Sequence, residues 1–154
     1  MQRNVSFLDK LGSLIPGYNG YAKRDGRRNC DKNLRNLLAS HLNKSEKILV
    51  KRINKAISKL DKDLMRKLED CRKEMNTIQS KVKFAPYGES SFFSDQQIKE
   101  DELMKIYQFD LDMGELVNDI FSKSNDSDSD YLLNKVDELN TILYNRNNFI
   151  KEHK

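Results

Sequence analysis

Apolar positions recur along most of this chain at intervals of three and four, the period of a helix buried on one face. From Arg27 to Ala85 there are 59 residues with neither Gly nor Pro, an interval that helix accommodates best. Leu34, Leu38, Leu42, Ile48, Leu49, Ile53, Ala56 and Ile57 follow roughly helical spacing there, with His41 and Ser45 as polar members of the face. Leu60, Leu64, Leu68, Cys71, Met75, Ile78 and Val82 then repeat at 4, 4, 3, 4, 3, 4, a cleaner stripe. Unbroken, the run would span about 90 Å at roughly 1.5 Å per residue, so a turn is expected inside it. Ser58-Lys59-Leu60-Asp61 is one candidate, because Asp61 and Asp63 suit a new helix N-terminus; Asn43-Lys44-Ser45-Glu46 is the competitor.

Pro86-Tyr87-Gly88 ends this half, and the following stretch has turn-forming composition. Ser94 with Gln97 offers a capping box, and Glu100, Asp101 and Glu102 suit the first turns of a helix carrying Leu103, Ile106, Tyr107, Met113, Leu116, Val117, Ile120 and Phe121. Asn125 to Asp130 is a polar connector, and a final helix carries Leu132, Val136, Leu139, Leu143 and Ile150. No stretch alternates with strand period. The pattern predicts an all-α protein, an elongated antiparallel up-and-down bundle of three to five helices with coiled-coil-like character. At 154 residues one domain is expected. Its parts are an amphipathic segment and Pro-Gly turn over 1–19, a helical hairpin over 20–84, a loop over 85–99 and a second hairpin over 100–154.

Charge divides this plan. The net value is +4, yet residues 1–84 hold 21 Lys and Arg against 9 Asp and Glu, and residues 85–154 hold 7 against 15. Either the acidic half folds back on the basic half and neutralises it, or the basic half faces a polyanion with salt-sensitive binding. Cys30 and Cys71 are unpaired by motif and read as reduced thiols; with only His41 and His153 beside them, no zinc set is formed. Val5 to Ile15 carries Asp9 and Lys10 and is far shorter than the roughly 20 apolar residues of a membrane span, so a cytoplasmic protein is expected.

The densest candidate chemistry lies at the head. Leu14-Ile15-Pro16-Gly17-Tyr18-Asn19-Gly20-Tyr21 runs into Lys23, Arg24, Arg27 and Arg28. If helix already runs through Gly26, then Arg24, Arg28 and Arg35 share a face. Guanidinium groups so spaced can clamp phosphates or carboxylates, with Tyr18 and Tyr21 stacking or donating beside them. Alternatively the arginines pair with the acidic half and the tyrosines cover the end of the bundle. Asp110 falls on an apolar face, where a carboxylate must be paired; its expected partner is an arginine of the head. Gly114, one turn on, suggests close helix approach. Phe7, Leu8, Leu11, Leu14 and Ile15 form an amphipathic stripe for the bundle, a partner helix or a membrane interface, with Arg3 and Lys10 as local cations. Asp126, Asp128 and Asp130 have calcium-loop spacing with Asp137 at the twelfth position, but Tyr131 stands where that loop requires Gly. No metal and no cofactor are expected. No nucleophile-base pair, phosphate loop or dinucleotide fingerprint is present, and an enzyme built on Asp110 or the Asp126–Asp130 segment is the weakest reading.

Ile15-Pro16-Gly17-Tyr18-x-Gly20-Tyr21, Arg27-Arg28, Asp31-Lys32, Leu34-Arg35, Phe84-Ala85-Pro86-Tyr87-Gly88 and Tyr107-Gln108-Phe109-Asp110 together resemble a group of small uncharacterised bacterial helical proteins, across most of residues 12–125. The chain departs from that group at Glu89-Ser90-Ser91, where the group has a more apolar, glycine-containing loop. The resemblance implies a bacterial cytoplasmic protein loosely associated with flotillin- or prohibitin-type membrane scaffolds, and it assigns no chemistry. The expected function is a non-enzymatic helical interaction or scaffold module. It would dock an acidic or membrane-associated protein through Tyr18, Tyr21, Lys23, Arg24, Arg27, Arg28 and Arg35. Nucleic-acid binding through the basic half is the alternative. Peripheral membrane contact and the oligomeric state stay open.

Overall fold

The computed structural model describes residues 2–88, 90–94 and 97–153, with side chains from Phe7 onward. Glu89 and the Arg3 side chain, both invoked above, lie outside that set. The helices are α1 (Gln2–Leu14), α2 (Arg27–Ser58), α3 (Lys62–Lys83), α4 (Glu100–Lys123) and α5 (Ser129–Lys151), with short 3₁₀ turns at Arg24–Gly26 and Ser91–Phe93. No strand occurs among the described residues. The protein is an all-α bundle, and no helix is long and apolar enough to cross a membrane.

The break falls at Ser58-Lys59-Leu60-Asp61, where the Asp61 carboxylate accepts from Leu64 N–H (3.2 Å) and so caps α3. The competing site at Asn43-Lys44-Ser45-Glu46 is continuous helix, with Ser45 Oγ donating to the His41 carbonyl (2.9 Å). Helix α4 starts later than the Ser94–Gln97 pair suggests. Glu102 accepts from the Lys99 N–H (3.1 Å) at the true N-terminus, while Ser94 bonds back to Ser91 within the 3₁₀ turn. Asp128, in the polar connector, caps α5 by accepting from Asp130 N–H (3.4 Å).

Helices α2, α3, α5 and α4 form a square in that order, each packed on the next, and α1 lies on α4. Arg52 of α2 donates to the Ser124 carbonyl after α4 (2.8 Å), so these two helices end together. At the other end, Ser90 and Ser91 bond the last residues of the chain, and His153 Nε2 stands 3.2 Å from Glu102. The course is therefore up, down, up, down. The core takes Leu34, Leu38, Leu42 and Leu49 from α2, Leu68, Cys71, Met75 and Ile78 from α3, Met113, Val117 and Ile120 from α4, and Leu132, Val136, Leu139 and Leu143 from α5. Both cysteines are buried and free. Three expected members of the stripes are exposed: Ile57 by 50%, Leu60 by 82% and Phe121 by 36%.

Leu11 and Ile15 are fully buried and Leu14 half-buried, so the stripe of α1 covers the bundle and is not displayed to a membrane interface. Gly114 does face Leu14, but a Cβ there would sit at an ordinary 3.5 Å. Several ion pairs form within the basic half itself. Arg72 pairs with Glu46 (2.7 Å) and Glu69 (2.6 Å), and Arg35 with Asp31 (3.0 Å), all inside the basic half. Among the described residues, an ion pair that joins the hairpins, Arg146 to Asp31 (2.8 Å), has the opposite polarity.

Candidate functional site

The head is built on a turn. Tyr18 N–H closes on the Ile15 carbonyl (3.2 Å) around Pro16 and Gly17, whose φ of +79° suits the third position of a type II turn. Gly20, at φ +88°, is needed twice over, since a Cβ there would meet Tyr107 Oη at 2.7 Å and Leu8 Cδ2 at 2.9 Å. This tight passage turns Tyr18 and Tyr21 inward, between α2 and α4.

Inside, five parts of the chain meet. Asp110 of α4 is fully buried; its Oδ1 accepts from Arg146 Nε of α5 (2.6 Å), and its Oδ2 from Tyr18 Oη (2.7 Å) and Tyr21 Oη (2.6 Å). Arg146 Nη2 donates to Tyr21 Oη (2.9 Å) and to Asp31 Oδ1 of α2 (2.8 Å). Asp31 also accepts from Tyr87 Oη (2.7 Å) and Arg35 Nε (3.0 Å). Tyr107 Oη accepts from Tyr21 N–H (3.0 Å). Two carboxylates and two guanidiniums balance in charge, and the tyrosine hydroxyls take up the remaining lone pairs, as a buried ionic network requires.

Burial shifts these groups apart. Asp110 is pushed above its usual range by burial, which Arg146, Tyr18 and Tyr21 offset only in part. At Asp31 burial acts the same way, but Arg146, Tyr87 and Arg35 outweigh it and hold the carboxyl below its usual range. Burial disfavours the Arg146 charge, yet Asp110, Tyr21, Asp31 and Tyr87 raise its pKa well above normal. Burial and the Asp110 charge raise Tyr18 and Tyr21 well above the ordinary phenol. Burial pushes Cys30 up to about 11, so its thiol stays protonated. Every partner of Asp110 is a donor, so the carboxylate form is the one this site is built around.

The expected docking residues divide. Tyr18, Tyr21 and Arg27 are buried and offer no partner surface. Arg27 is spent on the backbone, donating through Nε to Tyr21 O (2.8 Å) and through Nη1 to Phe92 O (3.1 Å). Asp110 meets Arg146 from the acidic half instead of an arginine of the head, because α5 lies beside α4 while the head's guanidiniums point elsewhere. Helix α2 begins at Arg27, and the 3₁₀ turn before it takes Arg24 off the face shared by Arg28 and Arg35. Lys23, Arg24, Arg28 and Lys32 are exposed and Arg35 is half-buried. Arg28 stacks on the Phe93 ring (4.8 Å) and, with Lys32, Arg35, Tyr87 and Gly88, lines an open cleft of about 280 Å³ over the buried network.

Arg146, Tyr87 and Phe92 were not foreseen as site residues. Arg146 was legible: the final stripe jumps from Leu143 to Ile150, and position 146 fills the gap at helical spacing. Asp31 likewise continues the stripe of Leu34 and Leu38 toward the N-terminus. Tyr87 and the Phe92–Phe93 plug sit in an aperiodic loop with no such signal. Among the described residues, no three His, Cys, Asp or Glu side chains are grouped to hold a metal. Comparison with protein-family models, curated proteins and solved structures finds no match to this chain.

Proposed function

We propose that the protein is a non-enzymatic interaction or scaffold module, bacterial and cytoplasmic, that docks an acidic protein partner through its basic end. The observation that carries this reading is the cleft lined by Arg28, Lys32 and Arg35, with Lys23 and Arg24 exposed on the same end of the bundle. The network beneath it supports the reading by fixing the cleft's walls: Asp31 and Tyr87 belong to both, so α2 and the loop after α3 cannot part without breaking buried bonds. A preorganised cationic cleft favours carboxylates of a partner and speeds their encounter. Around Asp110 the Tyr18 and Tyr21 hydroxyls and the Arg146 guanidinium are committed to the carboxylate, which favours binding over catalysis at this site.

Charge reversal at Arg24 and Lys32 is the test, since both side chains are exposed and outside the network. The double variant should stay helical by circular dichroism and lose the partner that wild type recovers from native cells, and recovery should fall as salt rises. Unchanged recovery overturns the reading. Nucleic-acid binding through the basic half is the alternative reading. A complex with duplex or single strands at low salt, abolished by the same variant, would favour it instead.

A further inference from the structure

The opposite end of the bundle carries a second feature that the head does not explain. Helix α2 closes with a Schellman motif: Leu60 N–H donates to Ile57 O (3.0 Å) and Asp61 N–H to Ala56 O (2.9 Å). Leu60 occupies the position this motif usually gives to glycine, at φ +57°, where a Cβ crowds the following carbonyl. The fold gains no burial in return, because the side chain is 82% exposed, and Ile57 beside it is 50% exposed. Ala56, Met65, Lys62 and Arg66 continue this surface as a shallow, mainly apolar cleft of about 260 Å³. A bulky apolar residue held in disfavoured backbone at a protruding tip calls for a role outside folding.

Charge indicates what the tip meets. Residues 51–67 hold seven Lys and Arg against two Asp. Lys55, Lys59, Lys62 and Arg66 are exposed and carry no ion pair among the described residues. Asp63 is matched to Lys67 (3.5 Å) and Asp61 is taken up by the cap of α3. Asp126, Asp128 and Asp130 follow Asn125, which with Arg52, Lys55 and Lys59 lines a neighbouring cleft that shares Ala56 and Asp61 with the Leu60 cleft. The surface presents two exposed apolar side chains, Ile57 and Leu60, with exposed cations on flexible stems beside them. A stable protein interface needs about 800 Å² from each partner, of which these side chains supply a small part. A layer of anionic headgroups needs only short apolar insertion with cations at its rim.

We propose that the α2–α3 tip attaches the protein peripherally to an anionic lipid surface. Leu60 and Ile57 enter the interface while Lys55, Lys59, Lys62 and Arg66 meet headgroup phosphates. The proposal stands whether or not the basic head has a protein partner, because the two surfaces lie at opposite ends of the bundle.

Co-sedimentation of the full chain with vesicles tests it, using phosphatidylcholine alone and phosphatidylcholine mixed with phosphatidylglycerol. Binding is expected to the mixed vesicles only, weakening as salt rises. Leu60→Gly, which suits the local backbone, should keep the circular dichroism spectrum and weaken binding about tenfold. Lys59→Gln and Lys62→Gln should each cost about fivefold. Charge reversal at Arg24 and Lys32 should leave vesicle binding unchanged. Absence of binding to mixed vesicles, equal binding to neutral ones, or binding that Leu60→Gly leaves intact would each overturn the proposal. So would sedimentation showing that Leu60→Gly dissociates a dimer, since the tip would then be covered by a second copy.

Discussion

Arg146 is the residue on which the head end turns, since it bonds both Asp110 and Asp31. Replacing it with Met leaves two buried carboxylates without their shared cation, and a loss of about 3–5 kcal/mol in urea denaturation is expected. Lys should not rescue it, because one ammonium cannot reproduce two directed guanidinium bonds. Arg24→Met, at an exposed site, should stay within about 0.5 kcal/mol of wild type. The two carboxylates also respond oppositely to acid. Asp31 has its folded pKa below the unfolded value of ~3.9, so its stabilisation is present above that value and lost as pH falls through the lower one. Asp110 has its folded pKa raised, so protonation favours the folded state as pH falls through it. Asp31→Asn should therefore flatten the fall of the urea midpoint below about pH 4, and Asp110→Asn should steepen it. The same slope in both variants would show that this assignment is wrong.

Among the elements, the turn between α2 and α3 is the one whose local chemistry disagrees with its conformation. Asp61 serves the end of one helix through its N–H and the start of the next through its carboxylate, which explains a connection of three residues. Leu60 is the discordant member. Its φ of +57° costs about 1 kcal/mol or more for a residue with a Cβ, and exposure means that no packing is lost on removing the side chain. Leu60→Gly is expected to raise stability by about 0.5–1 kcal/mol, after the greater chain entropy of glycine is counted. A stability decrease in thermal or urea unfolding would mean that the turn is not strained as described.

Over the whole molecule, the basic and acidic hairpins lie side by side through apolar faces, and surface ion pairs form inside each hairpin. Exposed pairs such as Lys67–Asp63 contribute roughly 0–1 kcal/mol each. The pairs at Asp110 and Asp31 are shielded from solvent and from screening ions. The urea midpoint should therefore move little between low and high sodium chloride, by no more than about 1 kcal/mol in free energy. A steep loss of stability with salt would mean that long-range attraction between the hairpins holds them together. Binding at either end of the bundle should by contrast weaken with salt, because both surfaces present cations to solvent.

Helical period and the absence of Gly and Pro over Arg27 to Ala85 were enough to determine an all-α bundle, and with the capping aspartates they narrowed the first turn to Ser58–Asp61 or Asn43–Glu46, because these depend on neighbours three or four residues away. Asp110 was legible as a buried charge for the same reason, and Arg146 and Asp31 were present in the pattern as charged members of apolar stripes. The sequence could not say that these three meet, since 115 positions separate Arg146 from Asp31. Only the packing of α4 against both α2 and α5 brings them within hydrogen-bond reach. The same packing turned Tyr18 and Tyr21 from a docking surface into buried donors, because an unpaired carboxylate inside the bundle needs their hydroxyls more than solvent does. It also left Leu60 outside a stripe it belongs to by spacing, since a chain reversing direction cannot keep every member of that stripe in the core.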